Sequence, residues 1–424
     1  MKLKTVYVCQ NCGQESSKWQ GRCPSCEEWN TYVEDVVNVG KAEVGMKSRL
    51  STHKLPRESA QALSTQGTSH ARAQTGISEW DSVLGGGIVE GSLILLSGEP
   101  GIGKSTLTLQ VLDKMAKLKE RVLYVTGEES IDQVSDRARR LGCKTENIKL
   151  LYENELENIL ASIELEKPNF LVIDSIQVMA SNEIAGVAGS LSQVRYVTEI
   201  LMNTIKTLKI PTLLIGHVNK EGNIAGPKVL EHLVDTVLIL EGERDHEFRM
   251  LRAMKNRFGP ISEVGLFEMS EDGLREVRNP GERILESRPK NAIGSALTVS
   301  MEGNRPLLME VQALVNPTHF GYPKRMANGF DRNRLELLIA VLQKYSKLDL
   351  SDQDVYINIT GGLSLRDPAG DFAVCMAIRS SLEKKPLPEG TVYWGEMSLT
   401  GELRKNFKDR ERQKSIDKMG LKKG

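Results

Sequence analysis

Residues 98–106, GEPGIGKST, have the residue types and the spacing of a phosphate-binding loop. The apolar run SLILLSG leads into them and a helical pattern, LTLQVLDKMAKLK, follows, which favours a true loop over a chance glycine-rich turn. Glycine lets backbone N–H groups turn toward phosphates, Lys104 would reach the β and γ oxygens, and the Ser105 hydroxyl could ligate Mg²⁺. We therefore predict that a nucleotide contacts Gly98, Glu99, Pro100, Gly101, Ile102, Gly103, Lys104, Ser105 and Thr106.

Acidic residues at the ends of other apolar runs are candidates for holding the metal and the attacking water. FLVIDS ends near Asp174, the placement of a Walker-B carboxylate that holds Mg²⁺; alone, such a residue is as often a helix cap. Glu128 and Glu129 follow RVLYVTG, and we choose Glu128 to polarise the water, although two acids at a helix start also suit its dipole. His217, after TLLIGHV, either senses the γ-phosphate or is a hydrogen-bonded filler.

A second kind of site is indicated by cysteines near the start of the chain. Cys9-x-x-Cys12 and Cys23-x-x-Cys26 supply four thiolates on two tight turns, the pattern of a structural zinc site. A bound zinc would replace the hydrophobic core that so short a segment cannot build. A redox dithiol or an iron–sulfur site is the weaker alternative, because one such pair suffices for redox work.

Composition sets the frame for these sites. The chain has 424 residues with 56 basic and 56 acidic side chains, so its overall charge says nothing about nucleic acid. Its length predicts two or three domains at about 150 residues each. No run of 18 apolar residues and no signal-peptide pattern is found, so we expect a cytoplasmic protein without a membrane partner. Cys143 and Cys375 stand apart from the others, and we expect both to be buried.

The pattern along the chain predicts four regions. Residues 1–36 form the cysteine-rich module, and residues 37–74, rich in Ser, Thr and Gln, form a linker. Between 75 and 275, apolar runs alternate with helical patterns, which predicts an α/β domain with a mostly parallel sheet and helices on both faces. Its last runs, FRMLRAMKNRFG and ISEVGLFEMS, should pair at the far edge of that sheet. Residues 276–424 form a further region with strands and helices.

These motifs together resemble the RadA (Sms) family of bacterial DNA repair proteins. The resemblance rests on the cysteine module, TGISEWDSVLGGGIVEGSLILLSGEPGIGKSTLTLQ, LYVTGEES, GSLSQVR, IGHVNKEG, KNRFG and a tail similar to the Lon protease domain. It implies a zinc ribbon, a RecA-like core that hydrolyses ATP with Mg²⁺, and a C-terminal Lon-like α+β domain. It further implies a DNA-dependent, helicase-like motor, a hexameric ring associated with the nucleoid, that promotes branch migration on single-stranded and branched DNA with a RecA-type recombinase as partner. The alternative is an ATP-gated DNA-binding scaffold that moves no DNA.

The pentapeptide KNRFG gains a role from the resemblance. In RecA-like rings ATP lies between subunits, so Lys255 and Arg257 would complete the neighbour's site as catalytic cations. They alternate with Asn256 along a strand and can face one way, while Phe258 and Gly259 would anchor and turn it. From the residues alone an ordinary charged hairpin end is the favoured interpretation, and a role in DNA binding is not separated from one in ATP hydrolysis.

Two connections are candidates for contacting DNA inside a ring. ASNEIAGVAGSLSQVR follows the Asp174 strand and carries Arg195, and NKEGNIAGPK follows His217 and carries Lys220 and Lys228. Either is also compatible with a long surface loop.

The tail lacks the groups of a Lon-type protease. Ala369 in RDPAGDFA stands where the resemblance expects the serine nucleophile, and Arg412 stands where it expects the lysine base. Because arginine stays protonated, we predict a non-proteolytic domain. Residues 401–424 carry nine Lys or Arg against four acids, a surface that suits either DNA phosphates or solvent. We also expect the Lon-like fold to lack its closing strand, since the sequence stops at GLKKG.

Overall fold

The computed structural model describes residues 3–9, 14–38, 71–118, 120–143, 146–217, 229–242, 248–277, 280–319 and 321–424. They form two compact units. The first comprises residues up to Glu241 with Met250–Ile261 and Ser270–Arg275, and the second comprises Gly242–Arg249, Ser262–Met269 and Glu276–Gly424. Between residues 242 and 276 the chain therefore passes from one unit to the other more than once.

The cysteine-rich module is a small antiparallel sheet. Its strands are β1 (Leu3–Cys9), β2 (Glu15–Ser16) and β3 (Tyr32–Asn38), in the order β2-β1-β3. Cys9 pairs with Tyr32, and both are buried together with Cys23. The strand β3 continues past residue 36, the predicted end of the module.

The strands of the nucleotide-binding region are β4 (Arg72–Ala73), β5 (Ile88–Val89), β6 (Leu93–Gly98), β7 (Val122–Thr126), β8 (Ile148–Tyr152), β9 (Phe170–Asp174), β10 (Thr212–Ile215), β11 (Thr236–Glu241), β12 (Phe248–Asn256), β13 (Val264–Ser270) and β14 (Gly273–Glu276). Its helices are α1 (Ser78–Val83), α2 (Lys104–Lys117), α3 (Ile131–Arg140), α4 (Leu156–Glu166), α5 (Leu191–Leu208) and α6 (Val229–Leu233). The strand β4 pairs with β5 and lies within the predicted linker, whose last residues are therefore part of the fold.

The main sheet has the strand order β14-β13-β12-β11-β6-β10-β9-β7-β8. Strands β6 to β11 are parallel to one another, and β6, β7, β9 and β10 are buried at every residue. Such fully buried, mostly apolar strands are typical of a parallel sheet covered on both faces. The predicted α/β fold with a mostly parallel sheet is confirmed.

The register of this sheet determines which residues meet. Thr126 and Ile215 both lie opposite Asp174, so the carboxyl ends of β7, β9 and β10 lie together next to the end of β6. We call this end of the parallel strands the carboxyl edge of the sheet. Strand β12 runs antiparallel to β11, with Asn256 opposite Thr236. The KNRFG pentapeptide therefore begins near the opposite end of the parallel strands, where β6 and β11 start, which we call the amino edge of the sheet.

The second unit contains an α+β arrangement, as expected. Its strands are β15 (Ser295–Glu302), β16 (Arg305–Pro317), β17 (Arg325–Asn328), β18 (Gln353–Ile359), β19 (Thr391–Val392), β20 (Glu396–Met397), β21 (Leu403–Arg404) and β22 (Lys422–Lys423). Its helices are α7 (Pro280–Ser287), α8 (Arg332–Tyr345), α9 (Asp371–Glu383) and α10 (Asp409–Lys418). Six strands form a mixed sheet in the order β17-β18-β16-β15-β19-β22, and β20 pairs with β21.

Candidate active site

The predicted phosphate-binding loop joins β6 to α2. Gly101 and Gly103 have φ angles of 80° and 114°, values at which glycine is strongly favoured. A Cβ atom on Gly98 would lie 2.6 Å from the carbonyl oxygen of Leu240, so the strand end also requires glycine. Gly103 has no side chain to cap α2, and the first N–H groups of this helix are suited to a phosphate.

Lys104 lies at the centre of this loop. Its side chain is buried, and Nζ donates to the carbonyl oxygens of Gly98 at 2.8 Å and Glu99 at 3.0 Å. Burial lowers the pKa of Lys104 to about 8, opposed by the carboxylates of Asp174 and Glu128. Its hydrogen-bond partners are neutral, so a phosphate oxygen would be a stronger acceptor than either.

Asp174 and Ser105 lie side by side at the carboxyl edge of the sheet. Oδ2 of Asp174 accepts a hydrogen bond from Ser105 Oγ at 3.0 Å and another from the Tyr124 hydroxyl. Burial raises the pKa of Asp174, and these two hydrogen bonds oppose the rise. A hydroxyl and a carboxylate in contact are oxygen ligands of the kind that Mg²⁺ prefers, so the pair fits a magnesium site.

Glu128 and Glu129 have different surroundings. Ser175 Oγ donates to Glu128 Oε1, and His217 Nε2 lies 3.6 Å from the same oxygen. The interaction with His217 and then that with Ser175 lower the pKa of Glu128 against the effect of burial. Glu129 instead accepts two hydrogen bonds, at 2.6 and 2.7 Å, from Arg137. Of the two acids, Glu128 is therefore the one whose ionised oxygens adjoin the phosphate loop.

The two cations of KNRFG lie at the other edge of the sheet. Lys255 Nζ donates to the carbonyl oxygens of Glu231 at 2.6 Å and Val234 at 2.8 Å, and burial lowers its pKa. Arg257 Nη1 lies 3.2 Å from Oδ1 of Asp235. Arg257 lies beside the start of the six-residue strand β6, roughly 16 Å from its far end, and Lys255 is level with Leu95, roughly 10 Å before that end. The contacts above hold both cations away from their own phosphate loop.

Main-chain contacts hold the rest of the pentapeptide. Asn256 Oδ1 accepts the N–H of Phe258 at 3.0 Å, and the Phe258 carbonyl accepts a hydrogen bond from Arg72. A Cβ atom on Gly259 would lie 3.1 Å from Asn256 Nδ2 and 3.4 Å from the Cα atom of Gly85. The turn after β12 is thus tightly packed.

In the first predicted DNA-binding loop, ASNEIAGVAGSLSQVR, one glutamine side chain forms hydrogen bonds with several backbone groups. Gln193 is buried, and its amide accepts from the N–H of Ser181 at 2.9 Å and donates to the carbonyls of Ser181, Ile184 and Gly186 at 3.1 to 3.3 Å. Arg195 pairs with Glu199 on its own helix at 2.9 Å. The second predicted loop, with Lys220 and Lys228, lies outside the described residues.

The cysteines of the small module fit a zinc site. The Sγ atoms of Cys9, Cys23 and Cys26 all lie within 4.8 Å of one another, and those of Cys9 and Cys26 are 3.6 Å apart. Sulfurs on one tetrahedral zinc are about 3.8 Å apart. The N–H of Glu27 donates to the carbonyl of Cys23 at 2.9 Å, which closes the second turn. Cys12 lies outside the described residues.

In the second unit, Asp367 lies in the turn RDPAGDFA, where the resemblance to the Lon protease domain expects a serine nucleophile. Asp367 accepts hydrogen bonds from the N–H groups of Ala369 at 3.0 Å and Met301 at 2.7 Å, and from Arg412 Nη2. Arg412 is 2% exposed and also donates to the carbonyl of Val299 at 3.1 Å. The turn thus holds a buried ion pair, and neither Ala369 nor Arg412 supplies a nucleophile or a base.

The two solitary cysteines differ. Cys375 is buried, as expected, and burial raises its pKa to about 12. Cys143 is only partly buried, so the expectation for it is wrong, and burial raises its pKa to about 11. Neither thiol is set to ionise at neutral pH.

Several residues of these networks were not anticipated. Tyr124 and Ser175 contact the predicted carboxylates, Asp235 contacts Arg257, and Arg72 contacts Phe258. Ser175 directly follows Asp174, so its nearness to a neighbouring strand end was a usable signal. The others lie far along the chain from their partners, and only the register of the sheet brings them together.

The phosphate loop, the strand-end carboxylate and the ionised glutamate beside it define a P-loop ATPase, here joined to a zinc-ribbon type module. A family model described as KaiC, an ATPase, matches residues 73–152, and one described as a rubredoxin metal binding domain matches residues 7–34. The match to an ATPase implies a nucleotide, and the cysteine cluster of the ribbon indicates zinc.

Comparison with whole proteins narrows this class. The DNA repair protein RadA of Bacillus subtilis is 46% identical over 99% of this chain and 92% of its own length. Its namesakes from Streptococcus pyogenes serotype M1 and Listeria monocytogenes serovar 1/2a are 48% and 47% identical over 99% of this chain, covering 92% and 91% of their own lengths. The chain belongs to the RadA family of DNA repair proteins. A solved KaiC-like protein from Pyrococcus horikoshii OT3 is a looser match, with a TM-score of 0.42 and 23% identity over 49% of this chain and 99% of that one.

Within the described parts of the chain, no helix is long and apolar enough to cross a membrane.

Proposed function

We propose that this chain is a DNA-dependent ATPase that works as a hexameric ring and moves the branch point of recombination intermediates. The family of DNA repair proteins supports the link to DNA. The observation that carries the hydrolytic part is the Glu128 carboxylate, which Ser175 and His217 hold beside the phosphate loop.

Each residue of the ATP site has a role in this proposal. The loop N–H groups and Lys104 bind the phosphates, and Ser105 and Asp174 hold Mg²⁺, which would neutralise phosphate charge. Glu128 accepts a proton or a hydrogen bond from the attacking water, because its lowered pKa keeps it ionised at neutral pH. His217 and Ser175 orient that carboxylate.

Lys255 and Arg257 act on the nucleotide of a neighbouring copy. Support comes from their contacts toward the amino edge of the sheet, which hold them away from their own phosphate loop. In a ring with head-to-tail contacts, this edge of one copy can face the carboxyl edge of the next. A cation there stabilises charge that develops on the γ-phosphate.

Single-stranded and branched DNA would contact the loop before α5 and the basic residues of 401–424. The loop offers backbone groups and leads into α5, which carries Arg195, and the tail offers nine Lys or Arg against four acids. A RecA-type recombinase is the proposed protein partner, and association with the nucleoid would follow from DNA binding.

Glutamate replacement tests the hydrolytic proposal. ATP turnover is measured with and without single-stranded DNA for the wild type, Glu128→Gln and the matched control Glu129→Gln. We expect DNA to stimulate the wild type, Glu128→Gln to lose at least about a hundred-fold in turnover with nucleotide binding retained, and Glu129→Gln to lose far less. Equal losses in both variants would contradict the role of Glu128.

Mixing of variants tests the neighbour's role. Lys104→Ala chains are expected to be inactive alone, and Arg257→Ala chains are expected to keep at most about a tenth of the wild-type turnover. Mixed in equal amounts, they should recover about a quarter of the sites, because an intact phosphate loop then meets an intact Arg257. No recovery would argue against action between copies.

Branch movement on a forked DNA substrate separates the motor from the ATP-gated scaffold. The motor requires strand movement that stops with Glu128→Gln, whereas a scaffold binds the fork with ATP and moves nothing. Binding without movement in the wild type would favour the scaffold.

A further inference from the structure

The buried carboxylate of Asp235 forms ion pairs with two cations at the amino edge of the ATPase sheet. Oδ1 of Asp235 lies 3.2 Å from Arg257 Nη1 and 3.2 Å from Lys206 Nζ. Oδ2 accepts the N–H of Leu93, the first residue of β6, at 3.1 Å. The side chain of Asp235 is 3% exposed, while those of Arg257 and Lys206 are 50% and 45% exposed.

The main chain of the same residues is also joined. The N–H of Arg257 donates to the carbonyl oxygen of Asp235 at 3.1 Å. The base of the Arg257 side chain is therefore fixed while its guanidinium remains half-exposed. Lys206, Asp235 and Phe258 also line a cleft of about 330 Å³, so the carboxylate and its second cation lie beside open space.

We propose that Asp235 is a positioning residue that holds Arg257 ready for the neighbour's nucleotide, and that Lys206 is a second counter-ion that keeps Asp235 neutralised when Arg257 leaves. This inference rests on the proposed function, in which Arg257 completes the site of a neighbouring copy.

The physical reason is the cost of a lone buried charge. If Arg257 turned to a phosphate and Asp235 had no other partner, a buried carboxylate would remain uncompensated, which opposes the movement. Lys206 shares the same oxygen, so the carboxylate stays paired throughout. Because Oδ2 keeps the N–H of Leu93, Asp235 itself does not move with Arg257.

A double-mutant comparison of DNA-stimulated ATP turnover tests this, with kcat and KM measured separately. Arg257→Ala is expected to lower kcat at least about ten-fold with little change in KM, because it removes a contact made in the transition state. Asp235→Asn keeps an acceptor for Leu93 and is expected to lower kcat about three- to ten-fold. In an Arg257→Ala background it should cause no further loss, since it acts through Arg257.

Lys206→Met tests the second counter-ion, and Lys209→Met is its matched control because Lys209 lines the same cleft. We expect Lys206→Met to lower kcat about two- to three-fold only when Asp235 and Arg257 are both present. Lys209→Met should leave kcat unchanged. Because Lys206 is half-exposed, this variant keeps the inference testable even if Asp235→Asn fails to fold.

The outcomes separate the two levels of the argument. If Arg257→Ala leaves kcat unchanged, the proposed role between copies fails. If Arg257→Ala lowers kcat but Asp235→Asn does not, or lowers it equally in both backgrounds, the positioning role of Asp235 is overturned. A Lys206→Met variant as active as Lys209→Met overturns the second counter-ion.

Discussion

Lys104 and Arg412 are both buried cations beside a turn that leads into a helix, but their partners differ. Lys104 donates to two neutral carbonyl oxygens, whereas Arg412 donates to the carboxylate of Asp367. The fold therefore compensates the charge of Arg412 and leaves that of Lys104 largely uncompensated. The lowered pKa of Lys104, about 8, has the same cause, since its burial outweighs the nearby carboxylates.

This difference separates a structural cation from one that binds a ligand. A buried carboxylate makes a cation costly to move, because breaking the pair leaves a lone charge on each side. Carbonyl partners are weaker than a phosphate, so a cation held by them can transfer to a ligand. Arg257 is intermediate, since it is half-exposed and shares Asp235 with Lys206.

The largest effect should come from Lys104→Met. We expect ATP turnover to fall at least about a hundred-fold, because the cation at the β and γ phosphates is lost. The free energy of unfolding should stay the same or rise, because the variant removes a charge that burial disfavours.

Lys114→Met on the exposed face of α2 is the matched control and should keep its turnover. A large loss of stability in Lys104→Met would place Lys104 with Arg412 as a structural cation and would break the comparison.

Arg412→Met should behave in the opposite way. We expect the free energy of unfolding to fall by about 3 kcal/mol, because Asp367 is left as an unpaired buried charge. Urea denaturation of the full chain, followed by a probe in the second unit such as the buried Trp394, measures the change.

Arg410→Met is the exposed control. The double variant Arg412→Met/Asp367→Asn should recover part of the loss, since it removes both charges. A double variant less stable than Arg412→Met would mean that Asp367 stabilises the turn through Ala369 and Met301 alone.

The sequence was sufficient to predict the site residues that lie at the ends of strands. Asp174 and Glu128 were placed at the ends of apolar runs, and parallel pairing brings such ends to one edge whatever the intervening helices do. The pairing of the KNRFG strand with ISEVGLFEMS at the far side of the sheet was predicted from the two consecutive apolar runs. These features depend on local periodicity and on one rule of sheet topology.

Side-chain contacts between residues distant along the chain could not be predicted in this way. The contacts of Tyr124 with Asp174 and of Asp235 with Arg257 depend on register and side-chain direction, which periodicity does not specify. Strand β4 was assigned to a linker because its two residues are too short to show alternation. The partial exposure of Cys143 likewise depends on tertiary packing at the end of α3.

The smallest effect concerns pH and sharpens the contrast between the two cations. The pKa of Lys104 in the fold is about 8, below its usual value of 10.5, so the side chain is charged below pH 8 and loses its proton above it. A phosphate favours the charged form, so binding above pH 8 must take up a proton. Nucleotide affinity should therefore be flat below about pH 7, fall about two-fold by pH 8 and weaken roughly five-fold more between pH 8 and pH 9. Equilibrium binding of a fluorescent ATP analogue measures this, with Lys104→Met expected to bind weakly and without that slope. A slope that persists in Lys104→Met would assign the titration to another group and would remove the link between neutral partners and a transferable charge.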